Sequence, residues 1–559
     1  MFLTPNALQS LQSGLLQDFQ AFLPELVLCG SIVLLLLLRL FRVLDGVHLG
    51  SLCLCLTVLA LFFAWNQWTG KYGLLTPADY SPGTKARDLF TGLLVYDNLT
   101  IFLRLFLLGF AALLIWLSLL TGIPDREDSA DFYCLLLGAT LGMSIMASAN
   151  HLLMVFIGVE MASLPSYALA GFLKGRRQSS EASLKYVVYG GGASGIMLYG
   201  ISLLAGKFGT AYLPDLAAAY ATSVAQTGPY DYVVLLGTLF LLMGVGFKLA
   251  AVPFHFWCPD VFEGAAAEVA GFLSVASKGA ALALLARVAL VLVGLGIDHK
   301  GIDPAAWASV VHYLAPVLAF FAALTATFGN LAAYLQTNLK RLLAYSTIAH
   351  AGYMMMGLAT LNAKGVSAVL LYLVAYLFMN LGAFAIVAFL RNETGSEDLA
   401  SFRGLVRRSP WMVITLAIFL LSLLGMPPLA GFAAKFQIFA VLYESGQAYS
   451  EAGSRSLGIT MYALLVIGGL NTVLSLFYYI KVLKVMILEK PLDEVEGKEA
   501  VPLFEPAGYK LYAGLLAVMI FVIGIFWNSL SVASDRGTDH FQARTGSEAV
   551  AKRVGEEQP

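Results

Sequence analysis

Long apolar runs, separated by short polar stretches, recur along the whole chain. A membrane-crossing helix needs about 20 mostly apolar residues. About fourteen runs qualify, centred near Leu34, Leu56, Phe110, Gly142, Ile157, Ile196, Leu241, Ala283, Phe320, Met355, Phe378, Leu420, Val466 and Ile520. The pattern predicts an all-α polytopic membrane protein of about fourteen transmembrane helices. The third, ninth, twelfth and thirteenth runs are long enough to demand tilt or a break. The first, from about Phe22 to Leu38, has no basic lead and no obvious cleavage site. It reads as a retained helix rather than a signal peptide.

Two runs are interrupted at mid-depth, the seventh at Val252-Pro253 and the twelfth at Gly425-Met426-Pro427-Pro428. Proline removes a backbone donor and clashes with the preceding turn. Non-helical backbone at that depth is tolerated only inside protein or beside a water-filled cavity. Each break has a lysine beside it, Lys248 and Lys435. A lysine at the centre of a membrane helix costs about 2.5–3.5 kcal/mol, so it marks an ion path by default.

Loop charge predicts orientation. Loops after odd-numbered runs carry Arg39 and Arg42, then Lys174, Arg176 and Arg177, Lys340 and Arg341, Arg391, Arg403, Arg407 and Arg408, and Lys481, Lys484 and Lys490. Loops after even-numbered runs are poorer, with Lys300, Lys364 and Arg455; the loop holding Lys71, Lys85 and Arg87 weakens the contrast without reversing it. Odd loops are therefore expected to be cytoplasmic, or matrix-side in an organelle, and both termini to lie on the opposite side.

Of 559 residues, 59% are hydrophobic and only 12% charged, half the charge of a soluble domain. No polar stretch could build a soluble catalytic core. A net charge of −1 points to no nucleic acid. The five cysteines show no CxxC or Cys/His spacing and read as small apolar residues, and no metal site is expected. No GxGxxG unit suggests a nucleotide site.

Runs four to eight and nine to thirteen form two units of five. An odd helix count inverts the second unit relative to the first, as in transporters built on inverted repeats. The fourth helix of each unit is proline-broken, and the second carries an ionisable group, Glu160 or His350. The expected divisions are 1–130 as a three-helix segment, 131–297 and 305–490 as the repeats, 507–531 as the last span, and 532–559 as a mobile polar tail of mixed charge.

The ionisable residues fall at similar depth. Glu160 lies ten residues after Asn150, about 15 Å along a helix. Lys185 opens the sixth run, with Glu160 as its expected partner, or snorkels to the interface. At Lys248 the negative end of the half-helix dipole favours the charged form and desolvation disfavours it. His255 follows the break, either as a core histidine or as a proton relay. Lys278 lies nine residues into the eighth run, with Ser274 at i−4 as its expected solvating group. His350 and Tyr353 could bridge Lys278 to Lys435, and Arg287 reads as structural or interfacial. Such a row suggests proton transfer in steps, each charge biasing its neighbour. Protons fit better than sodium, because hard cations want several oxygen ligands and lysines outnumber carboxylates here.

Several motifs resemble one family. They are Glu181-Ala182-Ser183-Leu184-Lys185-Tyr186, the run from Val252 to Gly264, Phe272 to Lys278, Leu339 to Tyr353, and Gly425 to Phe436. Together they resemble the subunit N family of proton-pumping NADH:quinone oxidoreductase (respiratory complex I), over roughly residues 90 to 490. The resemblance implies a fourteen-helix antiporter-like subunit with inverted five-helix repeats, in the inner membrane of a bacterium. It implies proton translocation driven by quinone reduction in partner subunits. It assigns the proton path to Glu160, Lys185, Lys248, Lys278 and Lys435, and His255 matches a histidine after the seventh-helix break. No cofactor is implied in this chain; quinone, NADH, FMN and iron–sulfur clusters are expected in other subunits. One departure stands out. Where the family usually has an Ala-Pro-Thr-Pro type stretch, this chain has Ala265-Ala266-Ala267-Glu268, which adds a carboxylate near the cytoplasmic mouth. The alternatives are a subunit of a multisubunit sodium/proton antiporter or membrane-bound hydrogenase, and a scaffold that pumps nothing.

Overall fold

The computed structural model describes residues 14–40, 48–70, 86–125, 128–227, 231–297, 302–491 and 503–542. Arg42, Lys71, Lys85, Lys300 and the tail from 543 to 559 lie outside the described residues. Among the described residues the fold is helical, apart from one short antiparallel hairpin, β1 (Arg87–Leu89) and β2 (Leu94–Tyr96).

The helices follow the apolar runs. They are α1 (Leu23–Leu40), α2 (Leu49–Thr69), α3 (Asn98–Thr121), α4 (Ser129–Ser148), α5 (Leu152–Ala170), α6 (Arg177–Phe208), α7 (Leu213–Thr227), α8 (Tyr232–Leu249) and α9 (Trp257–Gly264). Next come α10 (Ala267–Phe272), a π turn (Leu273–Ser277), α11 (Lys278–Leu292), α12 (Pro304–Ala333), α13 (Leu339–Leu358) and α14 (Ala363–Thr394). The last are α15 (Pro410–Leu424), α16 (Ala430–Glu451), α17 (Arg455–Leu488), α18 (Ala507–Ile525), α19 (Trp527–Gly537) and α20 (Asp539–Gln542). Among the described residues, 12 helical stretches are long and apolar enough to cross a membrane.

Starts are set by short polar caps. Asp97, Asn338 and Asn362 accept from backbone N–H groups at the heads of α3, α13 and α14, filling orphan donors. Helix α7 was not among the sequence expectations. It is a short alanine-rich helix between two crossings, below the length that marks a span.

Burial places the core. The crossing formed by α10, the π turn and α11 is 100% buried over its most apolar window, and α14 is 89% buried. The same window of α1 is only 28% buried. The centre of the molecule is thus the eighth and eleventh crossings, and the rim is an apolar surface suited to lipid.

The described start of the tail, residues 532–542, differs from expectation. Helix α19 docks on the bundle: Ser367 donates to Asp535 at 2.6 Å, and Arg536 donates to the Trp68 carbonyl at 2.5 Å while stacking over that indole. Its charges are spent on specific partners rather than on water. Composition alone could not show those partners.

Candidate functional site

The two breaks form where sequence placed them. Helix α8 ends at Ala250 in the left-handed region, φ 53°, and the chain passes a cis Val252–Pro253 bond before α9. The freed Val252 N–H donates to Thr325 Oγ1 at 3.0 Å. Helix α15 ends at Gly425, φ 95°, and α16 resumes after a cis Pro427–Pro428 bond. There Gly431 N–H donates to Ser422 Oγ at 3.1 Å. Exposed backbone at both breaks is therefore repaired from inside the protein.

Lys248 lies in the last turn of α8, 1% exposed. Its Nζ has no hydrogen-bond partner and sits 5.8 Å from the ring centroids of both Tyr167 and Tyr186. Stacking of Tyr186 on Trp257, 4.4 Å between centroids, holds that wall across the break. The Trp257 indole also donates to the Phe247 carbonyl at 3.0 Å. Glu160, half-buried on α5, accepts from Ser194 of α6. It acts on Lys248 through space without a direct ion pair.

Lys185 does not pair with Glu160. Its Nζ donates to Asp260 at 2.7 Å and to Glu181 at 2.9 Å, with the side chain 38% exposed. The reason is depth. Glu160 bonds Ser194, nine residues further along α6, and nine residues of helix span about 13 Å. Asp260, brought in by α9, is also shared with Arg341 at 2.7 Å, and Arg341 reaches Glu263 at 2.7 Å. Lys185 therefore belongs to a charge cluster at one end of the bundle rather than to the mid-depth row.

Lys278 is fully buried and its Nζ has no hydrogen-bond partner. Ser274 does not solvate it. Ser274 donates to the Gly271 carbonyl at 2.8 Å and accepts from Asn380 at 2.6 Å. A π turn takes more residues per turn than an α-helix, so i−4 no longer faces i. His255, 2% exposed, packs its ring against Phe256 and Phe328, with centroids 4.3 and 4.5 Å away. Lys278 acts on it through space.

His350 is the most richly bonded member. Its Nδ1 is 2.7 Å from the Tyr372 hydroxyl and its Nε2 3.2 Å from that of Tyr479, which also contacts Ser346 at 2.5 Å. Both Lys278 and Lys435 lie within its electrostatic range. Lys435, 4% exposed, donates to the Leu424 carbonyl at 2.9 Å and lies 4.7 Å over the Tyr353 ring. A side chain at Gly425 would place its Cβ 3.1 Å from the lysine Cδ. Glycine there both ends α15 and lets the lysine reach the carbonyl.

Electrostatic range links Glu160 with Lys248, Lys278 with His255 and His350, and His350 with Lys435; all of these but Glu160 are buried. Arg287 is structural as expected, bonded to Asp97 at 2.7 and 2.9 Å. The sequence reading missed the polar lining. Tyr372, Tyr376 and Asn380 recur at i, i+4 and i+8 on α14, a one-face stripe that was visible in the sequence. Asn471, Ser475 and Tyr479 do the same on α17.

Residues 149–450 match the family model described as NADH:quinone oxidoreductase/Mrp antiporter, TM. A relative from Sorangium cellulosum, named NADH-quinone oxidoreductase subunit N 2, is 40% identical over 513 residues, covering 90% of this chain and 94% of its own. One from Anaeromyxobacter, named NADH-quinone oxidoreductase subunit N, is 41% identical over 461 residues, covering 80% and 84%. Among solved structures, a chain of respiratory complex I from Thermus thermophilus with bound aureothin is similar, with TM-score 0.68 and 29% identity, covering 91% of this chain and 98% of its own. A chain of the Mrp complex from Dietzia shares the fold, with TM-score 0.72 and 19% identity, covering 96% and 99%.

Proposed function

The chain belongs to the NADH:quinone oxidoreductase/Mrp antiporter membrane family, and from that premise we propose that it is the proton-translocating subunit N of a bacterial NADH:quinone oxidoreductase. It works as one subunit of the respiratory complex, in the inner membrane, beside the other subunits. Redox chemistry resides in those partners, which carry NADH, FMN, iron–sulfur clusters and quinone.

In this reading, α13 and the α15–α16 pair add to the 12 apolar stretches to give fourteen crossings. The crossings from α4 to α11 and from α12 to α17 are the inverted repeats, and the face carrying α19 is the periplasmic one. Protons move along Glu160, Lys248, Lys278, His350 and Lys435, with His255 beside Lys278 and Lys185 at the cytoplasmic rim. One observation carries this reading: Lys248, Lys278 and Lys435 are all buried, and none is hydrogen-bonded to a carboxylate. Static structure rarely retains such groups in a membrane. The scarcity of oxygen ligands around them disfavours a sodium path.

Purification in mild detergent tests the reading. Flavin- and iron–sulfur-containing partners should co-purify. A stable lone chain that exchanges sodium for protons would overturn it.

A further inference from the structure

A second group of buried charges lies outside the proposed path, at the face opposite α19. Glu268, fully buried in the first turn of α10, meets Arg391 in the last turn of α14. The two contacts are 3.3 and 3.4 Å. Charge-assisted pairs normally close to about 2.7–2.9 Å, as Arg287 and Asp97 do here. Glu268 is therefore held loosely. Lys340, 2% exposed, donates to the Ala265 carbonyl at 2.7 Å and to Glu397 at 2.8 Å. Glu397 is 14% exposed, and its second oxygen is buried without a partner. Glu268, Arg391 and Glu397 all lie within electrostatic range of Lys340. Alternating charges thus lead from the surface to a fully buried carboxylate.

From Glu268 the packed contact of α10 on α14 continues inward. Ser274 lies six residues on, about 9 Å along the helix, and Lys278 about one turn further. Asn380 lies eleven residues before Arg391, three turns along the same stripe of α14. It bonds Ser274 and keeps an unpartnered buried oxygen, as Lys278 keeps an unpartnered ammonium. Between the two polar ends, Phe384 packs on Gly271, where a Cβ would lie 3.4 Å from the phenylalanine Cβ. Helices α3, α5 and α9, also packed on α10, carry Arg104, Glu160, and Asp260 with Glu263, bonded elsewhere to Glu25, Ser194 and Arg341.

We propose that Glu268 is the proton-loading group for Lys278, filled from the surface past Glu397 and Lys340 and separated from the lysine by a dry step at Phe384. The inference rests on the proton-translocation reading. In each transfer the carboxyl O–H bond breaks and an N–H bond forms on the neutral Lys278 amine, through water admitted at Phe384. The carboxylate then re-pairs with Arg391, and no electrons move. A pair needed only for stability would be replaceable by neutral groups at little cost. A loading group would not be.

The test uses the whole complex in proteoliposomes, with proton uptake compared at matched quinone turnover while the pH on the input side is varied. Glu268→Gln should make the pumping rate fall about tenfold for each unit of rising input-side pH, the first-order dependence of direct protonation from bulk water. Glu268→Asp should restore the wild-type profile. Glu268→Gln combined with Arg391→Gln leaves no lone buried charge and should assemble, yet keep the defect. A wild-type profile in either Gln variant, while Lys278→Met abolishes pumping, overturns the loading role and leaves the function standing. Full pumping by Lys278→Met would instead overturn the function.

Discussion

The two broken helices hold their lysines in different ways. Lys435 follows its break and donates to the last carbonyl of the preceding half-helix, with a tyrosine ring beneath. The negative end of a helix dipole is thus fixed beside its charge. Lys248 precedes its break, in the last turn of α8; its Nζ reaches no carbonyl and faces two tyrosine rings, with Glu160 acting from a distance. Rings contribute about 0.5–2 kcal/mol to a buried cation, which leaves most of the desolvation uncompensated. On the proposed path the charge on Lys248 answers to its neighbour, and that on Lys435 to fixed backbone. One break is built to respond and the other to hold. A related contrast separates Arg287–Asp97, closed at 2.7 and 2.9 Å, from Glu268–Arg391, held at 3.3 and 3.4 Å.

The sharpest way to break the comparison is at the holding site. Lys435→Met should abolish pumping through this subunit, and Lys435→Arg should block it as well, because guanidinium does not release its proton. Proton uptake at matched quinone turnover measures both, and a wild-type ratio of protons to electrons in Lys435→Met would remove Lys435 from the path. A smaller effect is expected at the responding site. Glu160→Gln and Lys248→Ala should lower pumping and coupled quinone reduction together, in complexes shown to assemble on native gels. Normal pumping by an assembled Glu160→Gln variant would mean that Lys248 does not answer to that carboxylate. The smallest effect belongs to the rim. Lys185→Ala removes partly exposed pairs worth within about 1 kcal/mol, so thermal stability should barely change and pumping should slow less than in Lys248→Ala. A loss as large as that of Lys435→Met would place Lys185 inside the path.

Some of this was fixed by the sequence itself. Apolar runs set the crossings, because lipid forces each backbone to satisfy itself within a helix. Proline and glycine set both breaks, because they act on their own turn. The buried lysines announced a site, because nothing else repays their desolvation. Partnership was decided only by the tertiary structure. Lys185 met Asp260 instead of Glu160, since the chain after the first break brings Asp260 to its depth. Ser274 turned from Lys278 to Asn380 because a π turn shifted the register. The start of the polar stretch after Leu530 became part of a docked helix ending at Gly537, through Ser367 and the Trp68 carbonyl, residues far away in the chain. Local patterning fixes what each helix must be, while side-chain contacts depend on rotation and depth between helices, which no single run encodes.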